Sequence, residues 1–158
     1  MLKIIKILAL FLGVLAAKGQ SITATGGWSY TFGTVNEAGS NLSTTAIAST
    51  ASQTVIGFSG MTGNSYVVRV HKSDIDWNAS LVLSILRTSD GSGGGGGNSI
   101  SGGTTSFALT GSPQVYFSGN PGNGTRTGIN NQYRITGQTV LIPAKTYTAN
   151  VVYTISAN

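Results

Sequence analysis

From Tyr147 to Ser156 the chain alternates with a period of two. Tyr147, Ala149, Val151, Tyr153 and Ile155 share one parity, Thr148, Asn150, Thr154 and Ser156 the other, and Val152 is the one apolar residue out of phase. Side chains of an extended strand point alternately to opposite faces, so this stretch predicts a strand with one buried and one wet face. The same grammar recurs upstream in SITATGGWSYTFG, where Ile22, Ala24, Trp28, Tyr30 and Phe32 are in phase, and in SYVVRVH and ASLVLSILRTS. TVIGFSGM, FALTG, PQVYFSG, YRITG and TVLIP complete the series. Short strands separated by turn signals, without a sustained helical period, predict an all-β sandwich or barrel. The turns carry Met61-Thr-Gly-Asn64, Asn120-Pro-Gly122 and Asn123-Gly124, and the segment from Asn36 to Ser52 is the one place where Ala and Ser leave room for a turn of helix.

The first nineteen residues stand apart. Lys3 and Lys6 precede an apolar run from Ile7 to Ala17, and Ala17-Lys18-Gly19 offers small residues at the positions a signal peptidase reads. We expect residues 1–19 to be a cleaved signal peptide, with a retained N-terminal anchor as the alternative, and residues 20–158 to form one domain. Removing the leader leaves six basic against four acidic residues, a balance of +2. Arg69, Lys72, Arg87, Arg126, Arg134 and Lys145 are scattered singly, which argues against a nucleic-acid partner. Charged residues make up 8% of the chain against a usual figure of about 25%, and 40% are apolar, a combination that folds rather than stays disordered. There is no cysteine, so no disulfide contributes. The low-complexity run from Ser89 to Asn98 predicts a flexible Gly-rich surface loop at 90–98.

Catalytic chemistry finds little material. His71 is the single histidine and falls out of phase with Tyr66, Val68 and Val70, which places it on the solvent face of its strand. No G-x-S-x-G elbow is present. Asp74, Asp76 and Asn78 begin like a calcium loop, but Ala79 stands where the turn requires Gly and Ile85 where the bidentate Glu belongs, which excludes an EF-hand. A looser calcium site and a plain polar turn are the remaining readings of that stretch. The G-x-G-x-x-G match at Gly91–Gly96 lacks a flanking strand and helix. We therefore expect no enzyme, no cofactor and no metal. Trp77, beside a polar stretch, is the candidate for stacking on a sugar ring.

Three stretches resemble a known group: YTFGTV at 30–35, GFSGMTGNSYVV at 57–68 and GQTVLIPAKTYTANVVYTI at 137–155. Their order and spacing resemble bacterial secreted β-sandwich domains of the spore-coat-protein-U and chaperone–usher pilin-like group. The C-terminal region is also similar to cell-wall-binding domains with a terminal Trp-x-Leu, with Tyr153-Thr-Ile155 in that place. The first resemblance implies an immunoglobulin-like sandwich exported to the cell surface and polymerised there. Neither terminal strand carries a charge between Ser21 and Phe32 or between Tyr147 and Asn158, and uncharged edges invite strand addition. The expectation is a structural subunit of a surface filament, pilus or coat. Ile22, Ala24, Trp28, Tyr147, Val151 and Tyr153 would be its inter-subunit strand contacts, with Gly26-Gly27 as a hinge. The alternative is a monomeric secreted module that binds carbohydrate or cell wall. Neither reading involves the membrane after signal cleavage.

Overall fold

The computed structural model describes residues 19–31, 46–61, 65–93, 99–120, 124–143 and 145–157. These contain nine strands and no helix: β1 (Ser21–Thr25), β2 (Ile47–Ala48), β3 (Thr54–Ser59), β4 (Tyr66–Asp76), β5 (Val82–Arg87), β6 (Phe107–Ala108), β7 (Gln114–Gly119), β8 (Arg126–Thr136) and β9 (Thr148–Ala157). One sheet runs β1-β3-β8-β5-β6, with β2 also on β8; the other runs β7-β4-β9. Every pairing is antiparallel. The fold is thus all-β and consistent with a two-sheet sandwich.

The alternation read from sequence decides what is buried. Tyr66, Val68 and Val70 of β4 are wholly inaccessible, as are Ile56 of β3, Ile85 of β5 and Ile129 of β8, while the residues between them face outward. Strand β8 organises the larger sheet. Its first half pairs with β3, its second half with β2 on the same side, and residues 131–136 pair with β5 on the other.

A polar cord crosses the core. Asn131, with no exposed surface, accepts from the Tyr116 hydroxyl at 2.6 Å and donates through Nδ2 to the carbonyls of Thr54 and Ile129. Thr54 Oγ1 donates to the Tyr133 hydroxyl at 2.9 Å, which lies 2.9 Å from the Tyr153 hydroxyl. Side chains of β3, β7, β8 and β9, from both sheets, are therefore joined inside an apolar core. Buried polar groups are tolerated only when satisfied in this way.

Several expectations are corrected. TVLIP is a turn, closed by the Ile142 amide on the Thr139 carbonyl, and Leu141 is 88% exposed. Asp74, Ile75 and Asp76 are the far end of β4, with Asp74 opposite Ala149 and Asp76 opposite Thr148, rather than a turn. The N-terminal strand stops at Thr25 instead of continuing through Trp28 and Tyr30. Gly26 ends it, because φ there is +102° and a Cβ would fall on the Gln53 carbonyl oxygen. The flank of the Gly-rich run is anchored: Ser92 bridges Thr127, and a Cβ on Gly91 would strike the Thr127 carbonyl, so that glycine serves close approach rather than slack. Residues 94–98, the leader up to Lys18, and Phe32 through Thr45 lie outside the described residues.

Replacing Asn131 with Ala removes three hydrogen bonds and strands the Tyr116 hydroxyl in the core. The expected loss is about 3 kcal/mol, read as a lower urea midpoint at unchanged slope.

Candidate functional site: a groove between two sheet edges

Strands β1 and β9 are the edge strands of their respective sheets and lie on the same flank of the sandwich. Between them opens a groove of about 1070 Å³. Its walls come from residues 22–31 on one side and 145–153 on the other, and its floor is Leu81, Leu83, Tyr133 and Ile135. Those floor residues are at most 9% exposed, so the groove reaches the hydrophobic core itself.

Local structure explains how the walls are held. The turn after β1 is fastened by Gln53, whose Nε2 donates to the Gly27 carbonyl at 2.5 Å. Trp28 then folds back over Tyr133, with ring centroids 6.4 Å apart and planes 12° from parallel, while Tyr30 leans on Trp28 at 6.2 Å. On the opposite wall Val151 and Tyr153 project from β9, and the Tyr153 hydroxyl ends the polar cord. At the rim, Trp77 is half-buried and donates Nε1 to the Leu81 carbonyl at 2.8 Å, with the Lys72 ammonium 4.9 Å from its ring centroid. Lys145 binds Asp76 at 2.7 and 3.0 Å and lies 5.2 Å from the Tyr147 ring centroid. The hydrogen bond to Asp76 raises the Lys145 pKa, which keeps the ammonium charged. Tyr147 is in turn fixed by donation to the Pro143 carbonyl at 2.7 Å.

All seven residues singled out from sequence line this one groove: Ile22, Ala24, Trp28, Tyr147, Val151, Tyr153 and Trp77. The structure separates their roles. Ile22 and Ala24 belong to β1 and pair with Phe58 and Ile56 of the same chain. Trp77 is fastened to its own backbone neighbourhood, so it is less open than its polar setting in the sequence suggested. Tyr30, Tyr133, Lys145 and the Asp76 carboxylate were not singled out as groove residues. Their contribution depends on the 69-residue separation of Lys145 from Asp76 and the folding back of Trp28, neither of which has a local signal.

The groups considered for catalysis or metal binding are dispersed or engaged. His71 sits half-buried on β4 with no hydrogen-bond partner for its buried Nδ1 among the described residues. Asp74 pairs with Lys72, Asp76 with Lys145, and Asp90 with Arg87. No group of three His, Asp or Glu side chains able to hold a metal occurs among the described residues. What the site offers is aromatic faces, an apolar floor and the outward backbone of two edge strands. No family model, curated protein or solved structure matches the chain.

Burial raises the pKa of Tyr66, Tyr116 and Tyr153, and for Tyr153 the neighbouring Tyr133 hydroxyl adds to the effect. Each is held protonated in the fold above the ordinary value of 10.0, whereas the unfolded chain releases those protons there. Stability is therefore intact below about pH 10 and falls as pH rises beyond it. In a spectrophotometric titration, these three of the six tyrosines should ionise only together with unfolding.

Proposed function

We propose that this chain is a non-enzymatic structural subunit of an extracellular filament, pilus or coat, exported by a signal peptide and assembled by strand exchange between copies. The body would be an immunoglobulin-like sandwich, in keeping with the resemblance to spore-coat-protein-U and pilin-like domains. One observation carries the reading: β1 is a short edge strand with little side-chain burial. Its five residues pair with β3 in continuous register from Ser21 opposite Ser59 to Thr25 opposite Val55, yet only Ile22 is even half-buried. The strand is thus held largely by backbone pairing that any identical strand supplies equally well. Gly26 and Gly27 follow it, so the connection can change direction at the cost of two residues without Cβ atoms. In the polymer, β1 of one copy takes the seat on β3 of the next, and Ile22 enters that copy's groove.

Cysteine pairs test this without background, because the chain has none. Ser21 and Ser59 are exposed and directly opposite. Antiparallel partners lie about 4.5–5.5 Å apart at Cα, within disulfide reach. Ser21→Cys with Ser59→Cys should give a reducible ladder of cross-linked oligomers from assembled material. A product that is wholly internally linked monomer would sink the exchange. Ile22→Asp with Ala24→Asp should abolish polymers while leaving the body folded.

A second reading is supported by the aromatic groove: a monomeric module that binds carbohydrate or cell wall through Trp28, Trp77 and Tyr147. Cosedimentation with insoluble polysaccharide or peptidoglycan separates the two. The subunit reading expects the protein in the supernatant; retention that is lost in Trp77→Ala favours the binding module.

A further inference from the structure

Strand β9 has a second property that exchange of β1 leaves unused. It is the outer strand of its sheet, paired over its whole length with β4 on one side and with no described strand on the other. Natural edges of this length are ordinarily blunted by charge, proline or a bulge. From Tyr147 to Ala157 there is neither a charged residue nor a proline. The one irregularity in its pairing lies in the partner strand, between Asp74 and Asp76.

The residue that breaks the alternation supplies the next step. Val152 lies on the face otherwise made of Thr148, Asn150, Thr154 and Ser156, where it is only half-buried in the monomer. It is opposite His71 in β4 and stands at the midpoint of the stretch from Tyr147 to Ala157. A two-fold axis through Val152, normal to the sheet, pairs β9 antiparallel with β9 of a second copy. It sets Val152 against Val152, Asn150 against Thr154 and Val151 against Tyr153. Residue-centred symmetry conserves parity, so apolar side chains meet apolar ones on the core side and polar meet polar on the other. The same rotation brings the two grooves mouth to mouth, because each opens on the flank that β9 borders. Their apolar walls then leave water together.

We infer that the outer edge of β9 is a self-complementary interface for a second copy of this chain, centred on Val152, which joins two three-stranded sheets into one of six. This contact is isologous, whereas β1 exchange is head to tail, so the two are independent and either can exist without the other. In an assembly that has both, exchange lengthens a strand of subunits and the β9 seam joins two such strands side by side.

Single cysteines in the full chain read the geometry. Val152→Cys under mild oxidation should run as a disulfide-linked dimer. Asn150→Cys alone and Thr154→Cys alone should not self-link efficiently, but a mixture of the two should. Linking at position 152 should be about tenfold faster than at position 150, since opposed residues lie within disulfide reach and residues four positions apart do not. In a chain whose exchange is blocked by an internal Ser21→Cys, Ser59→Cys cross-link, Val152→Glu, which sets two like charges on the axis, should sediment as a folded monomer where the same cross-linked chain with Val152 sediments as a dimer. A Val152→Cys chain that keeps its thiol free, or links no faster than Asn150→Cys, overturns the inference. So does a chain carrying Ser21→Cys and Ser59→Cys that is monomeric when that cross-link is wholly internal. A ladder from Ser21–Ser59 together with no link at 152 would preserve the exchange and reject the β9 seam.

Discussion

The contact between the Tyr133 and Tyr153 hydroxyls, 2.9 Å apart, is where the two sheets are locked in register. Apolar packing alone lets one sheet slide over the other with small loss, because it is not directional. A hydrogen bond buried in an apolar core is directional and costly to leave unmade. Through Thr54 and Asn131 the same cord fixes β3 against β8, and through Tyr116 it reaches β7. The position of β9 over the larger sheet, and with it the width of the groove, follows from a few oxygen and nitrogen atoms. In a chain without cysteine, these bonds take the place a cross-link between sheets would otherwise occupy.

The sheet edges present the opposite condition. The polar cord of the interior has its partners, whereas the flank bordered by β1 and β9 has backbone groups, aromatic faces and apolar floor residues lining a groove. The two strands meet that condition differently. β1 is short and little buried, whereas β9 is long and tied along its length to β4. Arg87 and Arg126 show how the far end of the larger sheet is finished: both are buried and directed to backbone carbonyls of Gly102 and Asp90, which fastens the loops there.

Much of the fold was legible because period two is a local property. Tyr66, Val68 and Val70, like Leu81, Leu83 and Ile85, announce their burial within a few residues, and each is buried. Where the expectation failed, a distant group decided. TVLIP has the apolar content of a strand, but Gly137, at φ +84°, turns against the Ser80 carbonyl and carries Leu141 into solvent. Trp28 keeps strand phase with Tyr30, yet the chain has already turned at Gly26, where only a residue without Cβ fits against the Gln53 carbonyl. The groove residues were recognisable one at a time by their aromatic or uncharged character. That Trp77, next to β4, and Trp28, next to β1, line one cavity depends on sheet order, for which strand periodicity holds no information.

The pairing of β8 also bears on the order in which the protein can form. Strands β2, β3 and β5 precede residue 126 in the chain, yet each finds a principal neighbour in β8, and β4 must wait for both β7 and β9. During synthesis from the N-terminus, β1 to β7 are all made before the larger sheet has its central strand. Until then β3 and β5 have little to hold them, and closure requires contacts between residues far apart in sequence. Closure of both sheets therefore comes late, once β8 and β9 have been made.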